Sequence, residues 1–402
     1  YSPNGIIVGP KAAFNVGSLI LTTDDIQFVP GVPDVSDGSI YGPGGVVQFR
    51  GTPGSKGFVE IQPGAQITAN GNSAYVALVA PRVQQGGAVS ADGPIGYIGA
   101  EQVDMTINAG LFDISILAGT TDPNGVVHTG TTTGPASTSY YDQKQIMLVA
   151  MPKSTALTML LSGSSGYTTS VNAYDDGSSI VLSAGYGTPV PTAEAADSLG
   201  HISIDGAGFS NPVSAYSTGS IDITGASGPV SFGSNAYLFA QDSIDITLGT
   251  DEQMDAFGYL SLNAGRTGKG GTIDISVGPN ASLTAGNYID LSASSASTPY
   301  YGATVGNVTG GAITVDIDGG TFSSNGIYAN AYASGGYDFL LGGTATGGNI
   351  SFTARNGGRI SAGYLSANAD AYGGSSNEVG GDAIGGSISS APNGDLYFYG
   401  MR

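Results

Sequence analysis

Apolar and polar residues alternate along most of this chain with a period of two. In YVALVA (75–80) one face receives Val76, Leu78 and Ala80, and in YLSLNA (259–264) it receives Leu260, Leu262 and Ala264. YIDLSA (288–293) gives Ile289, Leu291 and Ala293, and YLSANADA (364–371) gives Leu365, Ala367, Ala369 and Ala371. Such alternation predicts short strands with one buried face. Val76, Leu78, Leu260, Leu262, Ile289, Leu291 and Leu365 are therefore core candidates, and the residues between them should be more exposed. Windows with apolar residues at i, i+3, i+4 and i+7 are few, and helices are not expected.

A second kind of strand follows glycine pairs: GGTIDISV from Gly270, GGAITVDI from Gly310, GGNISFTA from Gly347 and GGSISSAP from Gly385. Their isoleucines, Ile273, Ile313, Ile350 and Ile388, are 40, 37 and 38 residues apart. Repetition of short strands and glycine turns at that period, without helices, predicts a solenoid. Each repeat reads as two coils of roughly 19 residues. Nearer the start, AQITANGNSAYVALVA from Ala65 is echoed by GAVSADGPIGYIGA from Gly87. The predicted fold is all-β: an elongated parallel β-helix, with a sandwich or barrel as the alternative that shares the period of two.

Three regions divide the chain: N-terminal coils over 1–118, a β-helical segment over 119–199, and glycine-rich repeats over 200–402. GTTDPNGVVHTGTTTGPASTSYYD (119–142) lacks clean alternation and reads as an extrahelical loop. PGVPDVSDGSIYGPGG (30–45) is a smaller candidate excursion. Both ends of the chain read as lying within the repeat, so further coils or end-to-end stacking of copies into a fibre is expected.

Composition fits this architecture. The 402 residues include 67 Gly, which supplies corners with positive φ, and only 10% are charged. A net charge of −20 disfavours nucleic acid and anionic membrane surfaces. No cysteine is present, so disulfides and thiolate chemistry are excluded.

Candidate chemistry is sparse. His128 and His201 lack metal-ligand spacing and read as incidental. Asp175 and Asp176 are the only weak candidates for Ca²⁺, and solvated loop acids are the simpler reading. No cofactor is expected. A polysaccharide lyase or hydrolase would need clustered acids. Asp24–Asp25, Asp251–Glu252 and the pair Asp222 and Asp245 are available, but a chain so acidic suits an anionic polymer poorly. The chain is therefore expected not to be an enzyme. Tyrosine is enriched, with 22 copies and no Trp. Tyr75, Tyr237, Tyr259, Tyr288 and Tyr364 each precede an inward aliphatic residue, so they should point outward or sit at corners. There they form a candidate surface for a glycan or a neighbouring filament.

The opening stretch SPNGIIVGPKAAFNVGSLILTT carries a resemblance. Pro3, Asn4, Gly5 and Ile6, followed by Gly9 and then Asn15, Val16 and Gly17, resemble the Asn-Pro-Asn-Gly-Ile stretch and Asn-Val-Gly element of filamentous-haemagglutinin-like exoproteins. Ser2 departs from the Asn usual there. The likeness covers residues 2 to about 110 and is architectural beyond. It implies a right-handed β-helix and two-partner secretion through an outer-membrane β-barrel transporter. It further implies a secreted or cell-surface location and a role as an adhesin or extracellular fibre, with a glycan or a receptor on a host or neighbouring cell as partner. A self-assembling filament without a receptor, and a carbohydrate-active β-helical enzyme, are the alternatives.

Overall fold

The computed structural model describes residues 1–27, 40–41, 45–71, 73–108, 111–138, 142–168, 177–190, 199–296, 306–337, 341–392 and 395–398. These residues contain no α-helix and form two compact units, Tyr1–Thr218 and Gly219–Arg402. Each unit is a parallel β-helix whose coils contribute one strand to each of three faces.

In the first unit, one coil runs through Arg82–Gln85 on face one, Ala88–Ala91 on face two and Ile95–Gly99 on face three. Each strand pairs in parallel with its counterparts in the coils on either side. The register is unshifted, so inward residues stack on inward residues. On face three the column runs Val76, Ile95, Ile146, Ile180 and Val213, all fully buried. Burying each such side chain contributes roughly 1.5–3 kcal/mol.

Face three of this unit is also buried from outside. An antiparallel sheet, ordered Leu111–Ala118, Gln102–Asn108, Val46–Arg50 and Asp25–Gln27, lies over it. Its inner side presents Val47, Phe49, Val103, Met105, Phe112, Ile114 and Ile116 to Ala77, Val79, Ile98, Met147, Val149 and Val181 of the coils. Its outer side is polar, with Arg50 Nη2 paired to Asp104 Oδ1 at 2.5 Å. Strands enclosed on both sides lose their alternation of exposure, and Val76–Ala80 and Ile95–Gly99 are buried at every position.

This sheet corrects the expectation of an extrahelical loop at 119–142. Val126–His128 and Thr131–Thr133 of that stretch are coil strands on faces one and two. Their inward positions include His128 and Thr132, which are buried, so hydrophobicity alone did not display the pattern. The strands that leave the coil path are Asp25–Gln27, Val46–Arg50, Gln102–Asn108 and Leu111–Ala118. The expected excursion at 30–45 lies largely outside the described residues, between two strands of the covering sheet.

In the second unit, face one carries a column of isoleucines, Ile221, Ile244, Ile273, Ile313, Ile350 and Ile388. Because Ile273, Ile313 and Ile350 are direct neighbours in the sheet, each repeat of about 38 residues is one coil rather than two. The extra length makes a side pleat between face three and the next face one. Its strands, Ser295–Ala296, Ala333–Ser334 and Ala371–Tyr372, with Val308–Thr309, Ala345–Thr346 and Ala383–Ile384, also stack coil on coil. Only small residues fit: Val308, Ala333 and Ala345 make its core. At the base of the pleat Gly348 lies so close to the Gly311 carbonyl of the preceding coil that no Cβ could be accommodated. That approach explains why each repeat restarts with a glycine pair.

Candidate functional site

Face three of the second unit consists of Ala236–Ala240, Leu260–Arg266, Tyr288–Ser292, Gly326–Asn330 and Leu365–Asn368, paired in parallel. Here alternation of exposure is clean. Leu260, Leu262, Ile289, Leu291 and Leu365 point inward and are buried, while Tyr237 and Tyr259 are 47% and 41% exposed. The sequence expectation holds for these strands.

Register converts separate tyrosines into a ladder. Leu260 pairs with Ile289, which sets Tyr259 beside Tyr288 with ring centroids 5.6 Å apart. In the next coil Gly326 occupies the same column, opposite Tyr288. A Cβ at Gly326 would lie 2.6 Å from the Tyr364 ring and 3.0 Å from that of Tyr288. The rings of the two flanking coils therefore close over the glycine, and their centroids are 5.9 Å apart. Tyr328 leans in from two residues further along, 5.9 Å from Tyr288 and 5.1 Å from Tyr364 in an edge-on arrangement. Such edge and tilted contacts suit the aromatic quadrupole and fix the rings relative to one another.

Polar side chains line the same face. The column containing Tyr237 and Tyr328 also holds Ser261, Asp290 and Ser366, and the next holds Asn263, Ser292, Asn330 and Asn368. Burial raises the carboxyl pKa of Asp290 above the ordinary aspartate value. At the corner before Tyr259, Phe257 is 82% exposed.

No family model and no curated protein matches the chain.

The other predicted tyrosine behaves differently. Tyr75 is buried beneath the covering sheet, edge-on to Phe112 at 5.9 Å, with its hydroxyl 2.7 Å from that of Tyr41. It belongs to packing, because the face it sits on is covered. Tyr328 and Phe257 were not picked out from the sequence. Tyr328 follows Ile327 in GIYANAYA, one position after the inward residue, and only the register shows that it reaches the ladder.

Residues of the amino-terminal motif form the first turn and coil. Gly5 has φ of +127° after Pro3 and Asn4, and Ile6 opens the strand Ile6–Val8. Asn15 accepts a hydrogen bond from Asn70 Nδ2 at 3.1 Å, which ties adjacent coils, and Gly17 follows the strand Ala13–Val16.

The remaining acids are locally employed. Asp222, Asp245 and Asp274 stand on successive rungs of face one, outside the coil. Asp245 has a raised pKa, through burial first and then through its two aspartate neighbours. Glu252 accepts from the backbone N–H groups of Gly225 and Gly249 at 3.2 and 2.8 Å. Asp175 and Asp176 lie outside the described residues, and among those described no three His, Cys, Asp or Glu side chains converge as a metal site would need.

Two buried polar clusters occur in the first unit. Inside the coil, the Thr132 hydroxyl lies 2.7 Å from Tyr97 Oη and 2.8 Å from His128 Nε2. Burial holds the His128 pKa down at about 4, so the ring is neutral at pH 7. Beside the covering sheet, Asp24 is fully buried against Gly51, and its Oδ2 has no partner among the described residues. Burial, with Glu101 as a lesser cause, raises the Asp24 pKa to about 8. Glu101 is itself paired to Lys153 at 2.7 Å. A shallow pocket of about 570 Å³ adjoins this corner, lined by Tyr1, Thr23, Asp25, Arg50, Gly51 and Gln102 among others. Its cation, Arg50, is already engaged by Asp104.

Proposed function

We propose that this chain is part of a secreted or cell-surface β-helical exoprotein that acts as an adhesin. The observation that carries the reading is the row of exposed and half-exposed tyrosines, held against one another in tilted and edge contacts, on face three of the second unit. Large aromatic side chains left in contact with water on a regular, rigid sheet are suited to holding a partner. The β-helix supplies the rigidity and the repeat supplies the recurrence. The resemblance of Pro3, Asn4, Gly5 and Ile6 to filamentous-haemagglutinin-like exoproteins supports export by two-partner secretion, with an outer-membrane β-barrel transporter as the export partner.

The test is adhesion. Beads coated with the purified chain should attach to cells or extracellular matrix. A variant carrying Tyr259→Ser, Tyr288→Ser, Tyr328→Ser and Tyr364→Ser should attach far less while keeping its β-sheet circular dichroism. Beads that attach to no cell type or matrix preparation would defeat the reading.

A further inference from the structure

We infer that the tyrosine ladder is a binding track for an uncharged, linear glycan lying along the direction in which the coils stack. This inference rests on the adhesive reading and specifies its ligand. A pyranose ring has an apolar C–H face and a rim of hydroxyl groups. The ladder offers the matching pair of surfaces: aromatic faces and phenol hydroxyls from Tyr259, Tyr288, Tyr328 and Tyr364, and side-chain donors and acceptors from Asn263, Asn330 and Asn368 in the column beside them. Along the column the centroids of Tyr259, Tyr288 and Tyr364 are 5.6 and 5.9 Å apart, comparable with the advance per sugar unit in an extended chain. A glycan laid along the track would meet Tyr259, Tyr288 and Tyr364 in turn, three rings for about three sugars, with Tyr328 flanking the last two where Gly326 leaves the column without a ring.

Charge selects among the candidates. On Leu260–Asn263, Tyr288–Ser292, Gly326–Asn330 and Leu365–Asn368 no Lys or Arg occurs, and Asp290 is the one acid. The chain as a whole carries −20. An anionic polysaccharide would meet no cation beside the rings, the nearest on these strands being Arg266 at the end of Leu260–Arg266, and would be repelled at long range by the net charge. A second copy of the chain would bring another −20 against the first. An uncharged sugar chain meets neither obstacle, and Asp290 serves it as a hydrogen-bond acceptor.

Without Trp, tyrosine emission is not masked by a stronger fluorophore, and the ladder variants separate the signal of the four ladder rings from that of the rest of the 22 tyrosines. The intact chain is titrated with cellohexaose, laminarihexaose, mannohexaose and N-acetylchitohexaose, and with oligogalacturonate as the anionic counterpart. At least one neutral hexaose should give a saturable change whose midpoint is the same at low and high salt, and oligogalacturonate should give none. Tyr288→Ser and Tyr364→Ser should each weaken binding about five- to tenfold with the melting temperature little changed. Val190→Ser, an exposed apolar residue of the first unit, should leave binding unaltered.

Three results would overturn the inference: neutral-sugar binding that the ladder variants do not change, salt-sensitive binding of the anionic probe alone, or ladder-dependent self-association without sugar binding. Adhesion that persists while no neutral sugar binds also overturns it but leaves the adhesive reading standing. Beads that adhere to nothing remove the adhesive reading itself.

Discussion

Face three exists twice in this protein, and the two versions have opposite fates. In the first unit its outward residues include Ala77, Val79, Ile98, Met147 and Val149, and an antiparallel sheet packs over them. In the second unit the equivalent positions hold mostly Tyr, Ser, Asn and Asp, with Phe239 as an apolar exception, and Tyr237 and Tyr259 meet solvent. The inward columns are alike in kind: Ile, Leu, Val and Ala in both. A parallel β-helix is thus built by its inward residues, while its outward residues decide whether a face is covered or offered. The covered face gains apolar burial on both sides; the offered face keeps aromatic area in reserve for a partner.

The sharpest way to break this contrast is to place one charge at an outward position of each face. Ile98→Asp puts a carboxylate between the coils and the covering sheet, where no cation is packed with it. It should cost about 4 kcal/mol or more, or prevent folding of the first unit. Asn263→Asp, on the exposed face of the second unit, should change stability by less than about 0.5 kcal/mol. Urea denaturation of both variants decides it, and equal costs would mean that the covering sheet does not seal the first face.

Asp24 tests the edge of the cover. Its folded pKa of about 8 exceeds the ordinary 3.8, so the folded state holds a proton that the unfolded chain releases. Stability contributed by this proton is present below pH 4 and is lost as pH rises towards 8. Asp24→Asn should therefore raise stability at pH 7 by about 4 kcal/mol, at about 1.4 kcal/mol for each pH unit above 3.8, and flatten the decline between pH 4 and 8. Melting temperatures across that range provide the measurement.

His128 tests the inside of the coil beneath the covered face of the first unit. Its folded pKa of about 4 lies below the ordinary 6.5, so the unfolded chain takes up a proton first as pH falls. Stability should drop between pH 6.5 and 4, and His128→Leu should reduce that slope. Thr132→Val removes the hydroxyl shared by His128 and Tyr97, and should cost about 1–3 kcal/mol at neutral pH.

Gly326→Ala is the mildest probe and concerns the exposed face alone. A methyl group there pushes against the rings of Tyr288 and Tyr364, both of which can move into solvent. The expected cost is about 1 kcal/mol or less, together with a change in tyrosine emission as the ladder opens. An unchanged emission spectrum would show that the rings are not held over the glycine.

How much of this was legible in the sequence follows from the same contrast. Val76, Leu78, Leu260, Leu262, Ile289, Leu291 and Leu365 are all buried, and the residues between them are more exposed where polar neighbours mark the other side. Beside Val76 and Leu78 that expectation fails, since Ala77 and Val79 are buried under the covering sheet. The covering sheet was not legible. Val103, Met105 and Ile107 alternate just as a coil strand does, and nothing local says that their partners are antiparallel. The coil at Val126–Thr133 was missed for the converse reason, since His128 and Thr132 fill core positions through hydrogen bonds. Of the five tyrosines singled out, Tyr259, Tyr288 and Tyr364 join the ladder, Tyr237 stands exposed in the neighbouring column, and Tyr75 is packed away. Tyr328 escaped notice because ladder membership depends on register between coils, which no single window of sequence contains.

The isoleucine column of the second unit bears on how such a protein changes over generations. Ile273, Ile313 and Ile350 pair in parallel without shift, and each coil presents to its successor nearly the same edge that it received. Duplicating the DNA for one coil would insert a unit that docks on both neighbours without redesign. Because the tyrosines ride on those coils, a copying error in the gene would lengthen the aromatic row by a rung. Avidity for a polymeric partner could then be adjusted by copy number, with no substitution at any existing contact.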